Sequence, residues 1–312
     1  MADSERVSVV LGAGPVGRAL VGALHARGTR VRVVTRSGRA QVPAGVDTIA
    51  ADISDADAAR RACAGAGLIY GCVGLGYTHW PTQWPPMMAG MLAGAEAAGA
   101  RFVFMDNLYM YGPAQQPLTE DLPLTGYGRK PATRARITRM WQDAHTSGRV
   151  RAVAVRASDF YGPGVRASAF GDLSFGRLAR GLAAQVLGDV DQPHSVTYVP
   201  DIARALVTIG DADDDVTGQA WHVPNAADRT PREILQLFAD ALRLDRLRVS
   251  AVPRALLSVL GLFMGDLREM KEMLYQWERP FLVDHSKFAA RFWSDPTPFE
   301  EGLPKTASSY RQ

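Results

Sequence analysis

Cysteine and lysine are both scarce in this chain. Its 312 residues hold two cysteines, Cys63 and Cys72, too few for a disulfide framework or a thiolate zinc site, so a reducing compartment is expected. Four of the 35 basic residues are lysine, namely Lys130, Lys271, Lys287 and Lys305. Chemistry that needs an ammonium group upstream of Lys271 therefore has Lys130 alone. Long apolar runs are missing too: the longest, Ala255 to Gly265, has 11 residues and contains Ser258. That suits a buried or amphipathic helix, because a membrane span needs about 20 residues. No block of one charge stands out, and 35 basic against 32 acidic residues give a net charge of +3. Nucleic acid would find no basic footprint here. The chain opens MADSER and runs straight into VSVVLG, which does not read as a secretory leader. A cytoplasmic protein without membrane or nucleic-acid partners is expected.

With 47% hydrophobic and 21% charged residues the chain can form a core. Its first half alternates strand-like and helix-like segments. Strands are predicted at Arg6–Leu11, Val31–Thr35, Asp47–Asp52, Leu68–Val73, Phe102–Asp106 and Arg149–Arg156. Helices are predicted at Pro15–Arg27, Asp55–Ala64, Trp84–Ala98 and Pro131–Thr146. That rhythm predicts an α/β fold, a Rossmann-type doubly wound parallel sheet. Beyond about residue 160 the spacing loosens. Helices are read at Ser174–Ala184, Asp201–Ile209, Arg254–Met264 and Asp266–Gln276, and a strand at Gln219–Val223. Thr230-Pro231-Arg232-Glu233 starts a further helix with an N-cap, a first-position proline and a capping box. The expected organisation is a dinucleotide-binding domain over 1–165 and a smaller, mostly helical substrate lobe over 166–312. That lobe shares the core and returns some strands to the sheet.

Gly12-Ala13-Gly14-Pro15-Val16-Gly17 fits G-x-G-x-x-G between the first strand and the first helix. The first glycine permits a tight turn, the second lets the backbone approach a pyrophosphate, and the third lets helix and strand pack closely. After the second strand come Thr35, Arg36 and Ser37, with Arg39 beyond. A guanidinium and hydroxyls suit an adenosine 2′-phosphate, whereas a carboxylate there would hold a free ribose. NADP(H) is thus favoured over NAD(H). Asp52 and Ile53, read as closing the third strand, are expected to bind the adenine amino group and cover its ring.

Five later segments carry a resemblance. They are Phe102-Val103-Phe104-Met105-Asp106-Asn107-Leu108-Tyr109-Met110-Tyr111-Gly112-Pro113, Thr119-Glu120-Asp121, Arg156-Ala157-Ser158-Asp159-Phe160-Tyr161-Gly162-Pro163-Gly164, Thr197-Tyr198-Val199-Pro200-Asp201 and Pro296-Thr297-Pro298-Phe299-Glu300-Glu301-Gly302-Leu303. With the glycine loop, these resemble the extended short-chain dehydrogenase/reductases, often labelled NAD-dependent epimerase/dehydratase. The resemblance implies a Ser or Thr after the fifth strand and a Tyr-x-x-x-Lys pair on the next helix. The tyrosine would exchange a proton with the substrate oxygen, and the lysine would hold the nicotinamide ribose. It also implies a homodimer through helices Trp84–Ala98 and Pro131–Thr146.

The chain departs from that pattern at each of those positions. Asn107 stands where the Ser or Thr is expected. Tyr127 has Pro131 four residues on, and Lys130 follows after three. A rebuilt relay is therefore expected, with Tyr109 or Tyr127 as proton donor, Lys130 assisting and Asn107 orienting the substrate. Asp106, Asp159, Tyr161, His194 and Tyr198 are the candidate substrate contacts. The aromatic stretch Tyr77, His79, Trp80 and Trp84 reads either as a lid over the nicotinamide or as packing. The other histidines (His25, His79, His145, His222, His285) show no metal-ligand spacing, and no metal is expected.

The leading reading is an NADP(H)-dependent oxidoreductase acting on a small organic carbonyl, alcohol or activated double bond. One alternative is an epimerase or dehydratase working on a sugar nucleotide or related metabolite. Another is a non-catalytic NADP-binding sensor or scaffold.

Overall fold

The computed structural model describes residues 7–252 and 271–311. Among them, seven strands form one sheet: β1 (Val7–Leu11), β2 (Val31–Thr35), β3 (Asp47–Ala50), β4 (Ala66–Gly71), β5 (Arg101–Asp106), β6 (Arg151–Arg156) and β10 (Ala220–His222). Their order is β10-β6-β5-β4-β1-β2-β3, and the pairings β3·β2, β2·β1, β1·β4, β4·β5 and β5·β6 are all parallel. The apolar runs explain the choice. VSVVL in β1 is buried along its whole length, as a parallel strand covered on both faces must be.

Chain connectivity reverses between β1 and β4, which is the place in an open α/β sheet where a crevice opens at the strands' C-terminal ends.

Two compact units divide the chain. The first comprises residues 1–112, 124–156 and 202–221, and carries this sheet with α1 (Pro15–Ala26), α2 (Ala56–Cys63), α3 (Trp80–Ala98), α4 (Lys130–Thr146) and most of α6 (Val199–Asp211). Helix α2 starts where Asp55 accepts the Ala58 N–H at 2.7 Å, a side-chain N-cap. Helix α3 begins four residues before the expected Trp84 and runs through Pro85 and Pro86. Trp80 and Trp84 lie one turn apart, both buried in the main core and edge-on to each other at 6.1 Å. Burying two indoles outweighs the backbone bonds those prolines cannot make. Strand β3 ends at Ala50, two residues short of Asp52.

The second unit comprises 113–123, 157–201 and 222–312. It holds two parallel ladders, β7 (Asp159–Tyr161) with β9 (Val196–Tyr198) and β8 (Ala184–Leu187) with β11 (Val249–Val252). Around them lie α5 (Phe175–Ala179), α7 (Pro231–Leu242), α8 (Ser286–Arg291) and α9 (Phe299–Ser308). The helix expected over Ser174–Ala184 is confined to α5, because Gly181 turns the chain at φ +72° and Ala184 already pairs with Val249. The capping box of α7 is present as read, with Thr230 and Glu233 bonding reciprocally. Phe175 stacks on Phe238 at 3.8 Å in this unit's core. The helix expected at Arg254–Met264 lies outside the described residues, and of Asp266–Gln276 only Lys271–Gln276 is described, as 3-10 turns. No helix among the described residues is long and apolar enough to cross a membrane.

Candidate active site

At the C-terminal end of β1 the glycine loop turns into α1. Gly12 takes φ +101°, and a Cβ there would stand 2.7 Å from the Cys72 carbonyl oxygen. A Cβ on Gly17 would collide with the Gly12 carbonyl. Protein packing therefore demands both glycines. Gly14 is different: it has φ −67° and nothing within 4 Å of a Cβ placed on it. Neither strain nor packing requires a glycine there, so the bare backbone leaves room for an approaching group. The first helical bond runs from Arg18 N–H to the Gly14 carbonyl at 2.9 Å. The N–H groups of Val16 and Gly17 come before it and face out of the helix mouth, the position that suits a phosphate. Pro15 occupies the first turn without an N–H to lose. The loop fits a dinucleotide pyrophosphate.

Past β2, Arg36 and Ser37 are exposed, and Ser37 Oγ accepts the Arg39 N–H at 3.3 Å. Asp52 is exposed and accepts Ser54 N–H at 3.0 Å and Ser54 O–H at 2.7 Å. These bonds, with a smaller pull from Arg36, hold its carboxyl below the usual range. Ile53, expected to cover an adenine ring, is 5% exposed and packed in the main core.

The ends of β4 and β5 carry the other candidates of this unit. Tyr77 comes from a 3-10 turn after β4, and Tyr109 from one after β5. Their phenol oxygens lie 2.8 Å apart. Tyr109 stacks on Trp80 at 5.6 Å, and Tyr77 meets the same indole edge-on at 5.1 Å. Trp80 is fixed in turn by its Nε1–H bond to the Leu75 carbonyl at 2.8 Å. Lys130 is the first residue of α4 and 1% exposed, with Nζ 5.4 Å from the Tyr77 ring centre. Asn107 Oδ1 accepts the Tyr109 N–H at 3.1 Å, so this side chain also shapes the turn. Tyr127 sits in the turn before α4, is 42% exposed, and bonds through its backbone N–H to Thr125 Oγ1.

Asp106, expected as a substrate contact, is tied to protein partners. Its side chain is completely buried, accepts from Arg134 at 3.0 Å and from the Asn107 N–H at 2.9 Å, and lies 3.8 Å from Arg156 Nε. Burial pushes its carboxyl up against the pull of the two guanidiniums. Arg134 was not singled out in the sequence. It lies one helical turn after Lys130, with its guanidinium 4.5 Å and 4.1 Å from the ring centres of Trp80 and Trp84. The i, i+4 spacing from the sole upstream lysine was the available signal.

In the second unit the four expected substrate residues form two pairs. Tyr161 and Tyr198 pack at 5.1 Å with Phe299 stacked on Tyr161 at 5.4 Å. Burial pushes the Tyr161 phenol well up and that of Tyr198 up to about 12. Both belong to this unit's hydrophobic core. His194, read as either a surface loop residue or a ligand contact, is buried. It is stacked 4.0 Å from Trp277 and 5.0 Å from Phe281, with Nε2 3.0 Å from Asp159 Oδ2. The Asp159 side chain keeps 17% exposure, which leaves it as the accessible member of the set. No cluster of His, Cys, Asp or Glu among the described residues could hold a metal ion.

Solved structures with the same fold are numerous. The epimerase Mth375 of Methanothermobacter thermautotrophicus superposes with a TM-score of 0.82 at 18% identity, over 99% of this chain and 93% of that one. UDP-glucose 4-epimerase of Thermus thermophilus, in complex with NAD, gives 0.76 at 19% identity over 98% and 99%. DesIV, a dTDP-glucose 4,6-dehydratase of Streptomyces venezuelae with NAD bound, gives 0.78 at 19% over 98% and 97%. Comparison with curated protein sequences gave no match. Residues 8–223 match the NAD dependent epimerase/dehydratase family. With the glycine loop, the switch between β1 and β4 and the parallel sheet all in place, the chain belongs to that family.

Proposed function

We propose that this chain is a nicotinamide-dinucleotide-dependent enzyme that changes the oxidation level of a hydroxyl- or carbonyl-bearing carbon in a small organic substrate. The observation that carries the reading is Gly14, a glycine required by no protein contact at the mouth of α1. A nicotinamide dinucleotide supplies hydride exchange with a substrate carbon. The Gly12–Gly17 loop holds the pyrophosphate, and Arg36 and Ser37 bind the adenosine ribose or its 2′-phosphate. Lys130 and the tyrosines beside it handle the proton of the substrate oxygen, and Asn107 steadies their turn. Asp159, held by His194, is proposed as a substrate contact of the second unit, which we assign as the substrate-binding part.

Two readings remain within that frame. The three relatives above are an epimerase, a UDP-glucose 4-epimerase and a dTDP-glucose 4,6-dehydratase, which favours epimerase or dehydratase chemistry on a sugar nucleotide or related metabolite. Such a reaction uses the cofactor without net consumption. The missing Tyr-x-x-x-Lys pair and Arg36 favour the second reading, net NADP(H)-dependent reduction of a small carbonyl. Two of those relatives were crystallised with NAD, so the preference for NADP(H) rests on Arg36 and Ser37 alone. A homodimer through α3 and α4 is proposed with either.

Calorimetric titration with NADPH and NADH comes first, on the wild type and Arg36→Ala. Binding of either nucleotide supports the enzyme reading; binding of neither to the folded protein overturns it. Selective weakening of NADPH in the variant supports the 2′-phosphate assignment. Incubation with UDP-glucose and dTDP-glucose, followed by proton NMR, then decides the chemistry. New sugar signals at constant cofactor absorbance support the epimerase or dehydratase reading. Absorbance lost from NADPH with carbonyl substrates supports reduction.

A further inference from the structure

Tyr77 is absent from the pattern that places tyrosines in this family's proton relay, yet it occupies the best position for one. It follows β4, the strand that borders β1 at the reversal of the sheet, on the same sheet edge as the glycine loop. It is partly exposed, as is Tyr109. Three contacts converge on it: the Tyr109 hydroxyl at 2.8 Å, the Lys130 ammonium 5.4 Å from its ring centre, and the edge of Trp80 at 5.1 Å. Tyr127 is exposed in a turn. Tyr109 is fixed by stacking on Trp80, at 5.6 Å and 27°, and by its backbone bond to Asn107 at 3.1 Å.

We propose that Tyr77 is a catalytic residue, the hydroxyl that exchanges a proton with the substrate oxygen, with Tyr109 and Lys130 as its partners. This rests on the dinucleotide-dependent reading above. In the reducing direction the Tyr77 O–H bond breaks and its proton joins the substrate oxygen, which takes up the carbonyl π pair. The electron pair that enters at carbon is the reduced dinucleotide's. The charge left on Tyr77 is met by a hydrogen bond donated from Tyr109 and by the Lys130 ammonium, both of which favour the ionised phenol. A proton returned from Tyr109 resets Tyr77, and solvent reprotonates Tyr109. In oxidation each transfer reverses. A lysine at the helix mouth thus serves a tyrosine from a neighbouring strand end, in place of one on its own helix.

The test needs no substrate. Tetranitromethane attacks phenolate in preference to phenol, and peptide mass mapping reports each tyrosine separately. On the wild type, Tyr77 should be nitrated about tenfold faster than the exposed Tyr127, since a nearby cation favours the ionised phenol. Lys130→Met should bring Tyr77 down to the Tyr127 rate while the fully buried Tyr70 stays unreactive, which reports that the variant is folded. Saturating NADPH or NADH, whichever calorimetry shows to bind, should protect Tyr77 and leave Tyr127 reactive. Nitration of Tyr77 no faster than Tyr127, no response to Lys130→Met, or no protection by a nucleotide that binds would each overturn the proposal. Failure of both nucleotides to bind is a separate result and overturns the functional reading itself. On any substrate turned over, Tyr77→Phe should lower kcat about 10²–10⁴-fold with KM little changed. A kcat within threefold of wild type (a change of under about 1 kcal/mol in the barrier) would rule Tyr77 out.

Discussion

Arg134 and Asp106 form an ion pair at 3.0 Å with side chains 7% and 0% exposed, and the guanidinium also lies against Trp80 and Trp84. The pair therefore joins the end of β5 to α4 and to the aromatic platform under Tyr109. Two buried ions stabilise each other only while both are present, so losing one strands the other. Asp106→Leu and Arg134→Met should each cost about 3–5 kcal/mol in denaturant unfolding. Replacing both charges together, Asp106→Leu with Arg134→Met, should recover a large part of that loss. A double variant as unstable as the sum of the singles would mean that the two residues act independently.

Gly14 and Gly17 should separate binding from folding. Gly17→Ala places a methyl on the Gly12 carbonyl oxygen and should lower the melting temperature markedly. Gly14→Ala meets nothing within 4 Å and should leave the melting temperature near that of the wild type. Its added methyl occupies the space left for the pyrophosphate, so dinucleotide affinity should fall about tenfold or more, roughly 1.4 kcal/mol. Unchanged affinity in a folded Gly14→Ala protein would remove the main support for the phosphate site.

Cys63 and Cys72 should be inert in the native protein. Burial pushes the Cys63 thiol up to about 11 and the Cys72 thiol up to about 12, and the thiolate is the reactive form. At about pH 8 neither should react with Ellman's reagent, whereas unfolding should release both. A fast-reacting thiol in the native state would contradict the burial.

Asp214 should govern part of the acid stability. It receives hydrogen bonds from Arg101 at 2.7 Å and Arg151 at 3.1 Å, and these hold its carboxyl below the usual range, the Arg101 bond first. A depressed folded value means that its contribution is complete above the unfolded value of about 3.9 and is lost as pH falls through the lower folded value. Asp214→Asn should thus lower the melting temperature at neutral pH, and the two proteins should converge under acid conditions. Parallel curves from neutral to acid pH would show that the ionisation of Asp214 contributes nothing.

Much of the frame is legible in the sequence. The β-branched runs, the glycine loop and the Thr230–Glu233 capping box are local signals, because strand burial, turn geometry and helix capping depend on residues adjacent in sequence. The same is true of Lys130, whose isolation in composition identified it. Other positions were fixed by residues far apart in the chain. Helix α3 starts at Trp80, not Trp84, because two indoles find a shared core. The turn at Gly181 and the pairing of β8 with β11 end α5 early. Ile53, Tyr161 and Tyr198 carry motif positions, and their burial in the two cores depends on residues far from them in the chain.

The sequence by itself determined the parallel α/β architecture, the glycine loop and the absence of the usual tyrosine–lysine pair, since each follows from residue type and local spacing. Only the tertiary structure decided that Asp106 is locked to Arg134, that Asp159 is backed by His194, and that Tyr77 meets Tyr109 beside Lys130. Those contacts join separate strand ends, helices and loops. Their partners are set by sheet order and side-chain burial, which no local pattern in the chain encodes.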